Sequence, residues 1–116
     1  MDRRAIKRVK ISGKGLFKLL NRAGEPIGKT FKGELADISV GGLSFEIRIS
    51  KEETARLLLG RRISISFSNR KRIPPISIEQ NGIIVGVYPF PFEDYSIHVK
   101  FDKMLEESTV KAIQRA

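Results

Sequence analysis

The sequence contains no cysteine and no tryptophan, and its single histidine is His98. Without cysteine there is no disulfide framework, no thiolate metal site and no thiol nucleophile. The lone histidine has no second histidine or carboxylate cluster in company, so neither a metal-ligand set nor a nucleophile–base pair is in view, and no phosphate-binding glycine loop is present. The expectation is a binding module, not an enzyme, with no metal. No apolar run approaches the length of a transmembrane helix. The start, Met1-Asp2-Arg3-Arg4, is charged with no apolar h-region behind it, so no secretory signal is visible. These absences favour a cytoplasmic protein without membrane insertion. Acidic residues are in deficit: 13 Asp and Glu stand against 22 Lys and Arg, a net charge of +9. Such a surplus attracts anionic partners, whether nucleic acid, nucleotides or an anionic surface, without choosing among them.

What is present fits one globular domain: 116 residues, 41% of them apolar, enough for one ordinary core. The basic head, Asp2 to Lys10, reads as a helix or a flexible arm. Residues 9–20 suggest a first strand, in which Gly13 and Gly15 point to a bulge or a close backbone approach. Residues 21–26 are turn material, residues 30–38 a second strand, and Gly41-Gly42 a sharp turn whose paired glycines tolerate positive φ. Leu43, Phe45 and Ile47 then alternate with Ser44, Glu46 and Arg48, the period of a half-buried strand. Ser50-Lys51-Glu52-Glu53 reads as a capping box opening a short helix through Leu57, Leu58 and Leu59, with Gly60 as a left-handed stop. Ile63, Ile65 and Phe67 alternate in a fourth strand. The basic connection from Asn69 to Pro75, with Arg70, Lys71 and Arg72, reads as solvated surface. Residues 76–87 form a fifth strand in which Asn81-Gly82 signals either a hairpin turn or a bulge. Phe90 and Phe92, flanked by prolines, read as loop packing. Ile97, Val99 and Phe101 alternate in a sixth strand, which places His98 on the outward face. Residues 105–115 have helical character, with Leu105, Val110 and Ile113 on one face. Six strands with mainly short connections argue for an antiparallel barrel or sandwich.

Two motifs carry the chemistry. One is RxxxR, Arg4-Ala5-Ile6-Lys7-Arg8; the other is DxSxGG, running from Asp37 to Gly42. Each alone is weak. In this order, with one apolar strand pair between them, they resemble the PilZ domain family, and the likeness extends over nearly the whole chain. The resemblance implies a mainly β fold: a six-stranded antiparallel β-barrel with a short helix after the third strand and a C-terminal helix. Its long fifth strand selects the bulge over the hairpin at Asn81-Gly82. It also implies the ligand cyclic di-GMP, often held as an intercalated dimer. Arg4 and Arg8 would be the two motif arginines, Asp37, Ser39 and Gly42 the ligand contacts of the second motif, and Gly41 would shape the turn. Arg3, next to Arg4, is a candidate for an additional contact, as is Gly41.

The residue types suit that ligand. Arginine's planar fork matches a phosphate or the O6 and N7 of guanine, and an ionised Asp37 can accept from guanine N1–H and N2–H. The expected organisation is a basic arm over residues 1–8 that closes on a barrel over residues 9–116. Binding would change the conformation of that arm and relay the signal to a downstream protein or adjacent domain, in motility, exopolysaccharide or biofilm control in a bacterium. The alternatives are a protein-interaction adaptor that does not bind the nucleotide, and a basic barrel that binds nucleic acid. The intact motifs count against the first, and the scarcity of outward aromatics counts against the second.

Overall fold

The computed structural model describes residues 7–71 and 75–114, so Arg3, Arg4 and Arg72 lie outside the described residues. The chain order is β1 (Val9–Lys10), β2 (Lys14–Leu20), β3 (Pro26–Ile38), β4 (Gly42–Arg48), α1 (Glu52–Arg56), β5 (Arg62–Asn69), β6 (Ile76–Pro89), β7 (Asp94–Phe101) and α2 (Glu107–Gln114). Every pairing is antiparallel. The sheet runs β1-β3-β2-β5-β6-β7-β4, and a further β3–β4 pairing closes it.

β1 and β2 both pair with β3 and together make the interrupted first strand that the sequence suggests. The interruption is at Gly13, whose φ of 123° only glycine adopts readily. Hydrogen bonds bridge the gap: Ile11 N–H donates to the Ala36 carbonyl and Leu35 N–H to that of Gly13. Counting β1 and β2 as one gives the expected six-stranded barrel. Closure is local: β4 pairs with β3 only from Glu34 to Ile38, whereas residues 26–33 of β3 pair with β2 on one side.

The core follows the period-2 pattern. Phe17, Ile38, Leu43, Phe45, Ile63, Ile65, Ile84 and Ile97 face inward and are almost wholly buried. Phe17 stacks on Phe45 with ring centroids 3.9 Å apart. This packing explains two strand glycines. Gly15 and Gly33 face each other across β2 and β3, and a Cβ on Gly33 would come within 2.6 Å of the Phe45 ring. α2 packs against β1 and β6 and turns Val110 and Ile113 into the core.

Three local expectations fail. The capping box does not form: α1 starts after Lys51, with no side-chain cap bond, and only Ala55 of its five residues is buried. Gly60 does end the segment with a positive φ of 85°, but Leu57 and Leu59 are exposed. The bulge in β6 is not at Asn81-Gly82, which pair regularly with Ser64 and Ile63. It falls at Val85, between Ile84 and Gly86, where the register against β7 shifts. Finally, Phe90 and Phe92 are not packed into the loop. Phe92 is 86% exposed at a turn where it and Glu93 both take positive φ, 61° and 70°, a region non-glycine residues occupy at a cost.

Candidate functional site

The turn between β3 and β4 is built by Ser39. Its N–H donates to the Gly42 carbonyl at 2.8 Å, and its hydroxyl oxygen accepts from Gly41 N–H at 3.2 Å. The hydroxyl also lies 3.4 Å from the Gly42 carbonyl oxygen. Ser39 is only 1% exposed, so in this state its hydroxyl serves the turn. The end of β7 and the segment after it tie the turn down: Phe101 N–H donates to the Gly41 carbonyl and Leu105 N–H to that of Val40.

The two glycines do different things, and neither takes a positive φ. The expectation of a left-handed turn is therefore corrected: what Gly42 supplies is space. A Cβ there would overlap the carbonyl oxygen of Val99 on β7, whereas a Cβ on Gly41 would meet nothing within 4 Å. Gly41→Ala is thus expected to leave stability within about 0.5 kcal/mol of the parent, as a melting curve would record. The position is then a clean probe of contact with a ligand.

The motifs meet at Arg8 and Asp37. Arg8 Nε and Nη2 both donate to Asp37 Oδ1, at 3.1 and 2.6 Å. The side chains keep 45% and 34% of their exposure. An ion pair this open is worth about 0–1 kcal/mol. It positions the two groups without committing them, and a stronger anion or a guanine edge can replace either partner. Asp37→Ala should accordingly cost less than about 1 kcal/mol in urea unfolding.

Beside this pair lies an open cavity of about 360 Å³, in the range of small-molecule sites. Arg8, Ser39, Gly41 and Gly42 line it together with Val85, His98, Lys100 and Met104. A larger cavity of about 490 Å³ lies near α2, lined by Ile11, Phe67, Ile76 and Ile113 among others, but no motif residue reaches it. The smaller one carries the charge and the motifs.

The lining residues from β6, β7 and the segment after β7 are not among the candidate contacts, although part of their signal is present in the sequence. With Ile97, Val99 and Phe101 inward, His98 and Lys100 must point outward. β7 pairs with β4 so that Gly42 faces Lys100 and Ser44 faces His98. Lys100 thus supplies a second positive charge next to the turn. Val85 reaches the cavity because the bulge turns it outward, leaving it 53% exposed. Arg3 and Arg4 fall outside the described residues. Among those described, no group of three or more His, Cys, Asp or Glu could hold a metal ion, and no helix is long and apolar enough to cross a membrane.

Comparison with known proteins agrees with this fold. A search of curated protein sequences finds no significant match. Among solved structures, the chain is similar to the Bacillus subtilis inhibitor of motility (MotI/DgrA), with 11% identity and a TM-score of 0.68, over 99% of this chain and 49% of that one. It is similar to the PilZ domain with c-di-GMP of YcgR from Escherichia coli, with 15% identity and a TM-score of 0.55, over 98% of this chain and 88% of that one. It is also similar to apo MrkH of K. pneumonia, with 15% identity and a TM-score of 0.55, over 99% and 49%. The chain thus spans about half the length of two of these three, and at such identities the likeness is one of fold. The family model described as the PilZ domain matches residues 2–116. A closed antiparallel barrel, two motifs joined at its outer face and a family match over almost every residue establish that this chain belongs to the PilZ domain family.

Proposed function

We propose that this domain is a receptor for cyclic di-GMP that binds the nucleotide between its two motifs and passes the signal to a protein partner. The observation that carries the reading is the Arg8–Asp37 pair, which joins motifs 29 residues apart in sequence at the edge of a cavity walled by Arg8 and Lys100. The ligand has two guanines and two phosphodiesters. On binding, the pair opens: Asp37 accepts from N1–H and N2–H of a guanine, and the Arg8 fork turns to a phosphate or to O6 and N7. Gly41 lets the ligand lie against the backbone. Arg4, one RxxxR step before Arg8, closes over it with the arm of residues 1–8, and Arg3 adds a contact to an outer base. That arm movement is the relay, and the ligand can be taken up as an intercalated dimer. On this reading the domain is a cytoplasmic bacterial signalling module of motility or biofilm control, with no catalysis of its own.

Thermal unfolding with added nucleotide tests this. A ligand at one hundred times its Kd stabilises the folded state by about 2.7 kcal/mol, which for a domain of this size raises Tm by about 10 °C. Cyclic di-GMP should do so, and GTP at the same concentration should not. An unchanged Tm with both would favour the second reading, a protein-contact adaptor. That reading has its own observation: Leu57, Leu59, Phe90 and Phe92 are exposed, and Leu59 borders Pro89 and Tyr95.

A further inference from the structure

On the outer face of the barrel, four residues on adjacent strands stand in register. Asp37 on β3 faces Ser44 on β4, Ser44 faces His98 on β7, and His98 faces Gly86 on β6. Their neighbours along the strands, Ile38, Leu43, Phe45, Ile97 and Val99, turn into the core, so the row lies on the outer side of the sheet; within it Ser44 and Gly86 are covered, and Asp37 and His98 at its two sides are part-exposed. Two strand spacings separate Asp37 from His98, roughly 10 Å. That is the scale of a dinucleotide, not of a single contact.

The His98 ring is held on two sides. Its Nε2 lies 3.2 Å from the Ser96 hydroxyl. Tyr88 meets it edge-on, with ring centroids 5.0 Å apart and an interplanar angle of 82°. Tyr88 is itself fixed by lying over Gly86, where a Cβ would come within 2.6 Å of the tyrosine ring. Ser96 engages one ring nitrogen and leaves Nδ1 for another partner. Val85 and Met104, both strongly exposed, line the same cavity as the ring. An oriented imidazole in a cavity that also presents exposed apolar side chains suits a flat heteroaromatic base better than a phosphate alone. The base stacks over Val85 and Met104, and its acceptor or donor edge meets Nδ1.

From this arrangement we infer that His98 is a base-recognition residue, contacting the purine of the ligand that lies farther from Asp37. The inference rests on the receptor reading above and extends it by assigning the second half of the ligand to β6 and β7.

Because His98 is the only histidine, its imidazole nitrogens can be followed without assignment ambiguity in a ¹⁵N-labelled sample titrated with cyclic di-GMP. The expected result is a saturable shift of the His98 ring signals together with the amides of Asp37 and Gly41. His98→Ala should then weaken binding about tenfold or more while leaving the melting temperature within a few degrees of the parent. Motif amides that shift while the imidazole stays fixed would overturn this inference and leave the receptor reading standing, as would parental affinity in His98→Ala. No shift anywhere in a folded sample would overturn both.

Discussion

Gly42→Ala is expected to lower stability by about 3 kcal/mol or more, and with it Tm by on the order of 10 °C. The reason is backbone on backbone. The added methyl would overlap the Val99 carbonyl oxygen, and neither atom sits on a side chain that can swing away. Gly42 pairs with Lys100, and Leu43 with Val99, at one end of the β4–β7 ladder. The strain therefore enters where the sheet closes, next to fully buried Leu43 and Ile38. Gly41→Ala, one residue earlier and facing open space, is the internal control. Chemical denaturation of the two variants side by side should separate them clearly. Equal stability would mean that β4 and β7 are not in this register. The comparison also bears on function: loss of ligand binding in Gly42→Ala would say little about contact, whereas loss in Gly41→Ala would say a good deal.

Arg8→Ala is expected to weaken cyclic di-GMP binding at least a hundredfold with little change in stability. The substitution removes charge-assisted hydrogen bonds to the ligand, each worth about 1.5–3 kcal/mol. It also removes a positive charge from the site that must receive a dianionic ligand, and the Asp37 pair that Arg8 gives up on binding is too exposed to offset either loss. Arg8→Lys should recover only part of the loss, because an ammonium cannot reproduce the planar fork. Equilibrium titration of the three proteins gives the ranking directly: parent tightest, lysine intermediate, alanine weakest. Equal affinities would place the ligand elsewhere.

How far this was legible in the sequence varied with the kind of force involved. The alternation of Leu43, Phe45 and Ile47 and of Ile97, Val99 and Phe101 was readable because one face of each strand is buried in a common core. Gly60 was readable because a left-handed stop is a local requirement. The meeting of Arg8 with Asp37 was implied by the family resemblance, not by spacing, and the barrel brings it about by laying β1 along β3. What local chemistry could not supply was decided by closure. The bulge sits at Val85 because β6 must pair with β5 on one side and β7 on the other, a demand that the turn-forming pair Asn81-Gly82 does not register. Ser50 and Glu53 carry a capping pattern, yet α1 is a single short turn with no side-chain cap, so propensity had little helix to act on. His98 was placed on the correct face, but its position beside the motifs depends on which strand neighbours β4, and that is set by topology alone.

The central claim is that the two motifs form one binding site for cyclic di-GMP. Isothermal titration of the ligand into the purified domain, with Arg8→Ala and GTP alongside, addresses it most directly. The account predicts saturable heat with one or two ligands per domain, lost in Arg8→Ala and absent with GTP. No heat from a folded parent protein at high ligand concentration would contradict it.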